Sequence, residues 1–166
     1  MIDRRSIKCY DSRQVPDELL EQILQAGIHA ATGMGAQSPT IVVLQDAQII
    51  EKLEKMNAEI MGAPGAHPFY GAPTVLVVLA NADIRTAVYD GSLVIGNMLL
   101  AASALGLGGC WIHRAKEEFE SDEGRTLLSA WGLEGNFVGI GHCIVGYPAA
   151  GPSPAKPRKE NYIVRP

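Results

Sequence analysis

Thr74–Ala80 (TVLVVLA) is apolar at every position after its first residue. A strand with apolar side chains on both sides belongs at the centre of a sheet that is covered on both faces. Outward from it, helical and extended stretches alternate. Before it come a helix entered through Val15-Pro16-Asp17 and a small-residue loop, Ala30–Pro39. A β-branched strand at Thr40–Leu44 and an amphipathic helix at Asp46–Ile60 follow, then a Gly/Pro-punctuated stretch, Gly62–Pro73. Pro near a first helical turn and apolar residues at three- and four-residue spacing are the signals used. After the central run come a helix over Asp90–Leu105, a strand over Gly109–His113 and a helix capped by Ser121. Asp122 and Glu123 suit that helix's positive end. Phe137–Tyr147 (FVGIGHCIVGY) is the last strong strand. The expectation is one α+β domain over residues 1–166, a mixed central sheet flanked by helices.

With 166 residues, 47% hydrophobic and 19% charged, the chain has ample material for a core, and disorder is excluded. It shows no basic stripe interleaved with aromatics, so nucleic acid is not an expected partner. Its N-terminus is charged rather than apolar, unlike a secretory signal. Leu93–Leu105, the most apolar stretch, is interrupted by Gly96, Asn97 and Ser103, so no membrane span is expected. Cys9, Cys110 and Cys143 form no CxxC and read as reduced core residues of a cytoplasmic protein. His29, His67, His113 and His142 show no metal-ligand spacing, so no metal site is expected. His142, inside an apolar strand, reads as a hydrogen-bonded core residue.

Charge is distributed unevenly. Residues 1–8 sum to +2 and 156–166 to +3, leaving −9 for 9–155 and −4 for the whole chain. Arg4, Arg5, Ser6 and Lys8 stand at one end; Lys156 and Arg158 stand near the other. Guanidinium forks, an ammonium and a hydroxyl are what a buried phosphate requires. If the ends meet in space they form a phosphate clamp; otherwise they are solvated termini. The Pro/Gly-rich tail closes on an apolar stub, Tyr162-Ile163-Val164, suggesting that it docks on its own sheet or on a partner.

Backbone phosphate cradles are absent. There is no GxxxxGK[ST], and Gly139-Ile140-Gly141 lacks the third glycine of GxGxxG. Leu105-Gly106-Leu107-Gly108-Gly109 follows a helix, the reverse of the order a dinucleotide turn needs. A phosphate held by side chains suits a mononucleotide such as FMN.

Five segments in order carry a resemblance: Arg4-Arg5-Ser6-Ile7-Lys8, Ala31–Pro39, Pro68–Pro73, Leu105–Ile112 and Lys156-Pro157-Arg158. Together, from about Arg4 to Tyr162, the chain resembles a short branch of the FMN-dependent nitroreductase family. The resemblance implies that Arg4, Ser6, Lys156 and Arg158 hold the FMN phosphate and that Arg5 lies along the ribityl chain. Lys8 falls near the flavin's polar edge, where a cation raises the reduction potential. Ala31, Thr32, Gly33, Gly35 and Gln37 belong to a loop that reaches the isoalloxazine from the other subunit. Trp111, Ile112 and His113 lie by the reactive N5, with His113 a possible modulator. The tail would embrace the partner of a homodimer with FMN at its interface.

This chain departs from the family pattern at two places. Gly35 stands where Asn is common, and His113-Arg114 replaces a Glu-Gly pair, changing the charge beside the flavin. The implied activity is hydride transfer from NAD(P)H through the flavin to a nitro, quinone or related electrophilic acceptor. No side chain is needed as an obligate acid or base. The alternatives are a non-catalytic FMN-binding or flavin-transfer module and a reductase dedicated to one metabolite.

Overall fold

A computed structural model describes residues 2–166. In chain order the elements are α1 (Asp17–Ile28), a 3-10 turn (Gly33–Gly35), β1 (Pro39–Leu44), α2 (Ala47–Ile60), β2 (Thr74–Asn81), α3 (Ala87–Ala104), β3 (Gly108–Ile112), α4 (Ala115–Glu120), α5 (Asp122–Ala130) and β4 (Phe137–Gly146). The sheet order is β1-β2-β4-β3, and each of these pairs is antiparallel. The parallel component of the expected mixed sheet is confined to an isolated bridge between Ser6 and Gly109.

The period-2 geometry of β2 divides its side chains between two cores. Val75, Val77 and Leu79 pack with Leu44, Leu53, Phe69 and Phe119 on one face. Leu76, Val78 and Ala80 pack with Val15, Ile23, Ile95 and Met98 on the other. The sheet is thus a middle layer, with α1 and α3 on one side and α2, α4 and α5 on the other. Fully burying a Val or Leu side chain stabilises by about 1.5–3 kcal/mol, so this one strand anchors much of the fold.

Local chemistry sets the element ends. Asp46 caps α2 by accepting from Gln48 N at 2.8 Å and Ile49 N at 3.2 Å. Ser121 Oγ accepts from Gly124 N at 3.0 Å, as its position before Asp122 and Glu123 predicts. Gly27 lets α1 approach α3: a Cβ there would lie 2.9 Å from Met98 Cγ. By length and composition α3 could cross a membrane. Here its Ile95, Met98 and Ala102 are fully buried inside the fold.

Two expectations are corrected, and of the two docking places left open for the C-terminal stub one is set aside. Cys9 is exposed, and only Cys110 and Cys143 are core residues. It lies outside the strands, on the segment that joins the termini. Tyr162, Ile163 and Val164 do not dock on their own sheet; they are 71%, 74% and 76% exposed. Finally, Ala115–Glu120 forms a helix where none was expected.

Candidate functional site

The two charged ends of the chain meet. Ile7 N donates to Gly109 O at 3.2 Å, laying the N-terminal segment along the outer edge of β3. Gly108 permits this approach, since a Cβ there would stand 2.7 Å from Ile7 Cγ1. Further along, Asp11 N donates to Tyr147 O and Ala149 N to Cys9 O, each at 3.0 Å. Tyr10 and Pro148 form an antiparallel bridge. The chain leaving β4 is therefore zipped to the chain's beginning, and the tail starts beside Arg4.

A cavity of about 470 Å³ lies between them. Arg4, Arg5, Ser6, Lys8, Lys156 and Arg158 line it, all six of the residues read from the sequence as a phosphate clamp. Among the described residues no acidic side chain lines this space. Arg4 Nη1 is buried and, among the described residues, without a hydrogen-bond partner. An orphaned buried guanidinium nitrogen is costly unless something accepts from it, and a phosphate oxygen is such an acceptor. Arg5 is less free, because its Nη1 donates to Ile2 O at 2.8 Å and Arg4 O at 2.9 Å.

A second cavity of about 460 Å³ shares Ser6 and Lys8 with the first, so the two adjoin along these residues as one cleft. Trp111, Ile112 and His113, at the end of β3, line it together with Tyr70 and Arg114. Lys8 Nζ stands 5.6 Å from the centroid of the Tyr70 ring. An aromatic wall beside a cation at the junction fits a flat, electron-accepting ring whose phosphate lies in the first cavity. The residues present fit FMN.

The loop residues lie elsewhere. Gly33 N donates to Asp90 Oδ1 at 2.9 Å, and Thr86 Oγ1 donates to Asp90 Oδ2 at 2.8 Å. Gly33 is required there, since a Cβ would meet Thr86 Oγ1 at 2.5 Å. Thr32 and Gln37 line a different cavity, with Leu24, Ile28 and Val94. Gly35, with φ 67°, has open space around its Cβ position, and Ala31 is exposed. None of the five residues reaches the cleft of its own chain.

His142 is the hydrogen-bonded core residue expected from its place in an apolar strand, but sequence reasoning missed its partners, a buried polar chain behind the cleft. His142 Nε2 and Glu118 Oε2 are 2.5 Å apart, and Asn57 Nδ2 donates to Glu118 Oε1 at 2.5 Å. Asn57 Nδ2 also donates to His113 O at 2.8 Å, while Arg114 Nε donates to Asn57 Oδ1 at 2.9 Å. The turn that carries His113 is thus tied to the core. The histidine inside an apolar strand signalled a buried partner but did not say which residue supplies it.

The profile of the Nitroreductase family matches residues 1–147, ending just before the tail. A relative from Archaeoglobus fulgidus, named as an NADH dehydrogenase/NAD(P)H nitroreductase, is 30% identical over 150 residues, covering 87% of this chain and 81% of its own. One of the same name from Methanothermobacter thermautotrophicus is 29% identical, covering 90% of this chain and 75% of its own. Among solved structures, an FMN-bound nitroreductase from Bacteroides fragilis superposes with a TM-score of 0.89 at 27% identity, over 98% of this chain and 94% of its own. Its fold, its cleft and these likenesses agree: the chain belongs to the nitroreductase family.

Proposed function

We propose that the protein is an FMN-dependent oxidoreductase that takes hydride from NAD(P)H and delivers electrons to a nitro, quinone or related electrophilic acceptor. The single observation that carries this reading is the pair of adjoining cavities, one whose charged lining residues are all cations and one walled by Tyr70 and Trp111, which share Ser6 and Lys8. FMN, when bound, supplies hydride acceptance at N5 and its return to an acceptor.

The chain's own residues bind, orient and tune. Arg4, Ser6, Lys156 and Arg158 neutralise and fix the phosphate, and the otherwise unpaired Arg4 Nη1 gains its acceptor. Lys8, on the wall shared by both cavities, stabilises negative charge on the reduced cofactor. Trp111 and Tyr70 line the space the ring would take, together with Ile112 and His113.

The functional unit is a homodimer. Val88, Tyr89 and Leu93 leave an apolar stripe of α3 uncovered, as do the three residues of the tail's stub. The loop around Gly33, which does not reach its own cleft, serves the partner's.

A test begins with the freshly purified protein. A yellow, flavin-type absorption spectrum and oxidation of NAD(P)H in the presence of a nitroaromatic or quinone are expected. Bound flavin with no turnover on any acceptor would instead favour a flavin-binding or flavin-transfer module.

A further inference from the structure

The cationic character of the cleft does not stop at the phosphate cavity. Lys8, His67, His113 and Arg114 are the titratable basic groups of the second cavity, and among the described residues no carboxylate lines it. Glu54, which holds His67, is itself engaged: Oε1 accepts from Phe69 N at 2.7 Å and Oε2 lies 3.1 Å from His67 Nδ1. If Lys8 serves the flavin, one permanent cation, Arg114, is left in this cavity without a task.

Arg114 is unusual in its backbone. It has φ 80° and ψ 4°, a left-handed conformation that glycine adopts freely and arginine only with strain. The side chain is nonetheless held: Nε donates to Oδ1 of the fully buried Asn57, whose own position is fixed by Glu118 and the His113 carbonyl. Among the described residues Arg114 makes no ion pair and no other side-chain hydrogen bond. A guanidinium held through Nε keeps both Nη groups for one planar, bidentate acceptor, with little conformational entropy left to lose.

The geometry points to Arg114 as a specificity-determining residue that recognises a carboxylate on the electron acceptor. The protein therefore prefers carboxylated electrophiles, such as nitroaromatic or quinonoid acids, over neutral ones. This inference rests on the second cavity being the acceptor's side of the flavin site.

The test is binding, measured by calorimetry on the flavin-loaded protein, with 4-nitrobenzoate and its neutral isostere 4-nitrobenzamide. Wild type should bind the carboxylate at least about tenfold more tightly, the scale of one charge-assisted hydrogen bond. Arg114→Gln should lose the preference, and so should Arg114→Gly, which suits the left-handed turn and guards against misfolding. Equal affinities in wild type, or a preference that survives in both variants, would overturn the assignment. So would weakened binding of NADPH alone, relative to NADH, because the anion would then be the donor's phosphate. Turnover of a neutral quinone by wild type reports separately on the flavin reading: if it is absent, that reading fails, whatever the binding preference shows.

Discussion

His142 Nε2 lies 2.5 Å from Glu118 Oε2, and neither side chain reaches solvent. The pair spans the interface between β4 and α4, and through Asn57 it extends to the turn that carries His113 and Arg114. His142 Nδ1 has no partner. The tautomer with hydrogen on Nε2 is therefore preferred, since it donates to the carboxylate and leaves an unpaired acceptor instead of an unpaired donor.

Glu118→Gln tests this arrangement. A glutamine amide opposite Nε2 pushes the histidine hydrogen to Nδ1, where nothing accepts it. Stability should fall by about 1–3 kcal/mol, the penalty for an unsatisfied buried group. Denaturant unfolding measures it. Glu118→Ala, which strips both partners of their acceptor, should cost more.

Little of this network was legible in the sequence. Ala115–Glu120 is only six residues long, too short to display a helical period, and Lys116-Glu117-Glu118 reads as a solvated charge run. Glu118 was hidden among its exposed neighbours, and its partner Asn57 lies on a distant helix. The central strand was legible because its apolarity is continuous, and burial follows directly from that. That the two ends could meet was legible because like charges stood at both extremities. What drew them together was not: that depends on backbone pairing at Ser6–Gly109 and Tyr10–Pro148, which no side-chain pattern announces. Cys9 looked like a core residue by type alone, yet it lies on this zipped segment, where it is exposed.

Gly139 should not tolerate a side chain. β4 carries a register shift here, with Leu79 opposite Gly139 and Val78 opposite Gly141. A Cβ on Gly139 would lie 2.1 Å from Ala115 O, which is backbone and cannot swing away. Gly139→Ala should destabilise by about 1–3 kcal/mol, as overpacking does, and thermal unfolding measures it. Gly151→Ala, where nothing lies within 4 Å, should be silent.

Stability should fall at alkaline pH. Burial pushes the Cys143 thiol from 9.0 up to about 12, with Cys110 adding to the rise and Arg4 opposing it. Burial likewise pushes the Tyr10 phenol well above its ordinary range. Both groups hold their protons in the fold while the unfolded chain releases them. The stability they contribute is full below the unfolded values and is lost as pH rises toward the folded ones. The urea midpoint should drop from about pH 9 upward, and Cys143→Ala should flatten part of that slope.

Removing residues 150–166 separates fold from cofactor. That segment is exposed throughout in one protomer, so secondary structure should persist without it, and any fall in melting temperature reports the tail's contact with the partner subunit. Lys156 and Arg158 are lost with it, and FMN should bind at least about 100-fold more weakly, as expected for two charge-assisted contacts.

The most direct measurement is the FMN dissociation constant of a double variant, Arg4→Gln with Arg158→Gln, followed by flavin fluorescence quenching. Convergence of the two termini on one phosphate predicts a rise of at least about 100-fold relative to wild type, with secondary structure unchanged. An unaltered dissociation constant would contradict it.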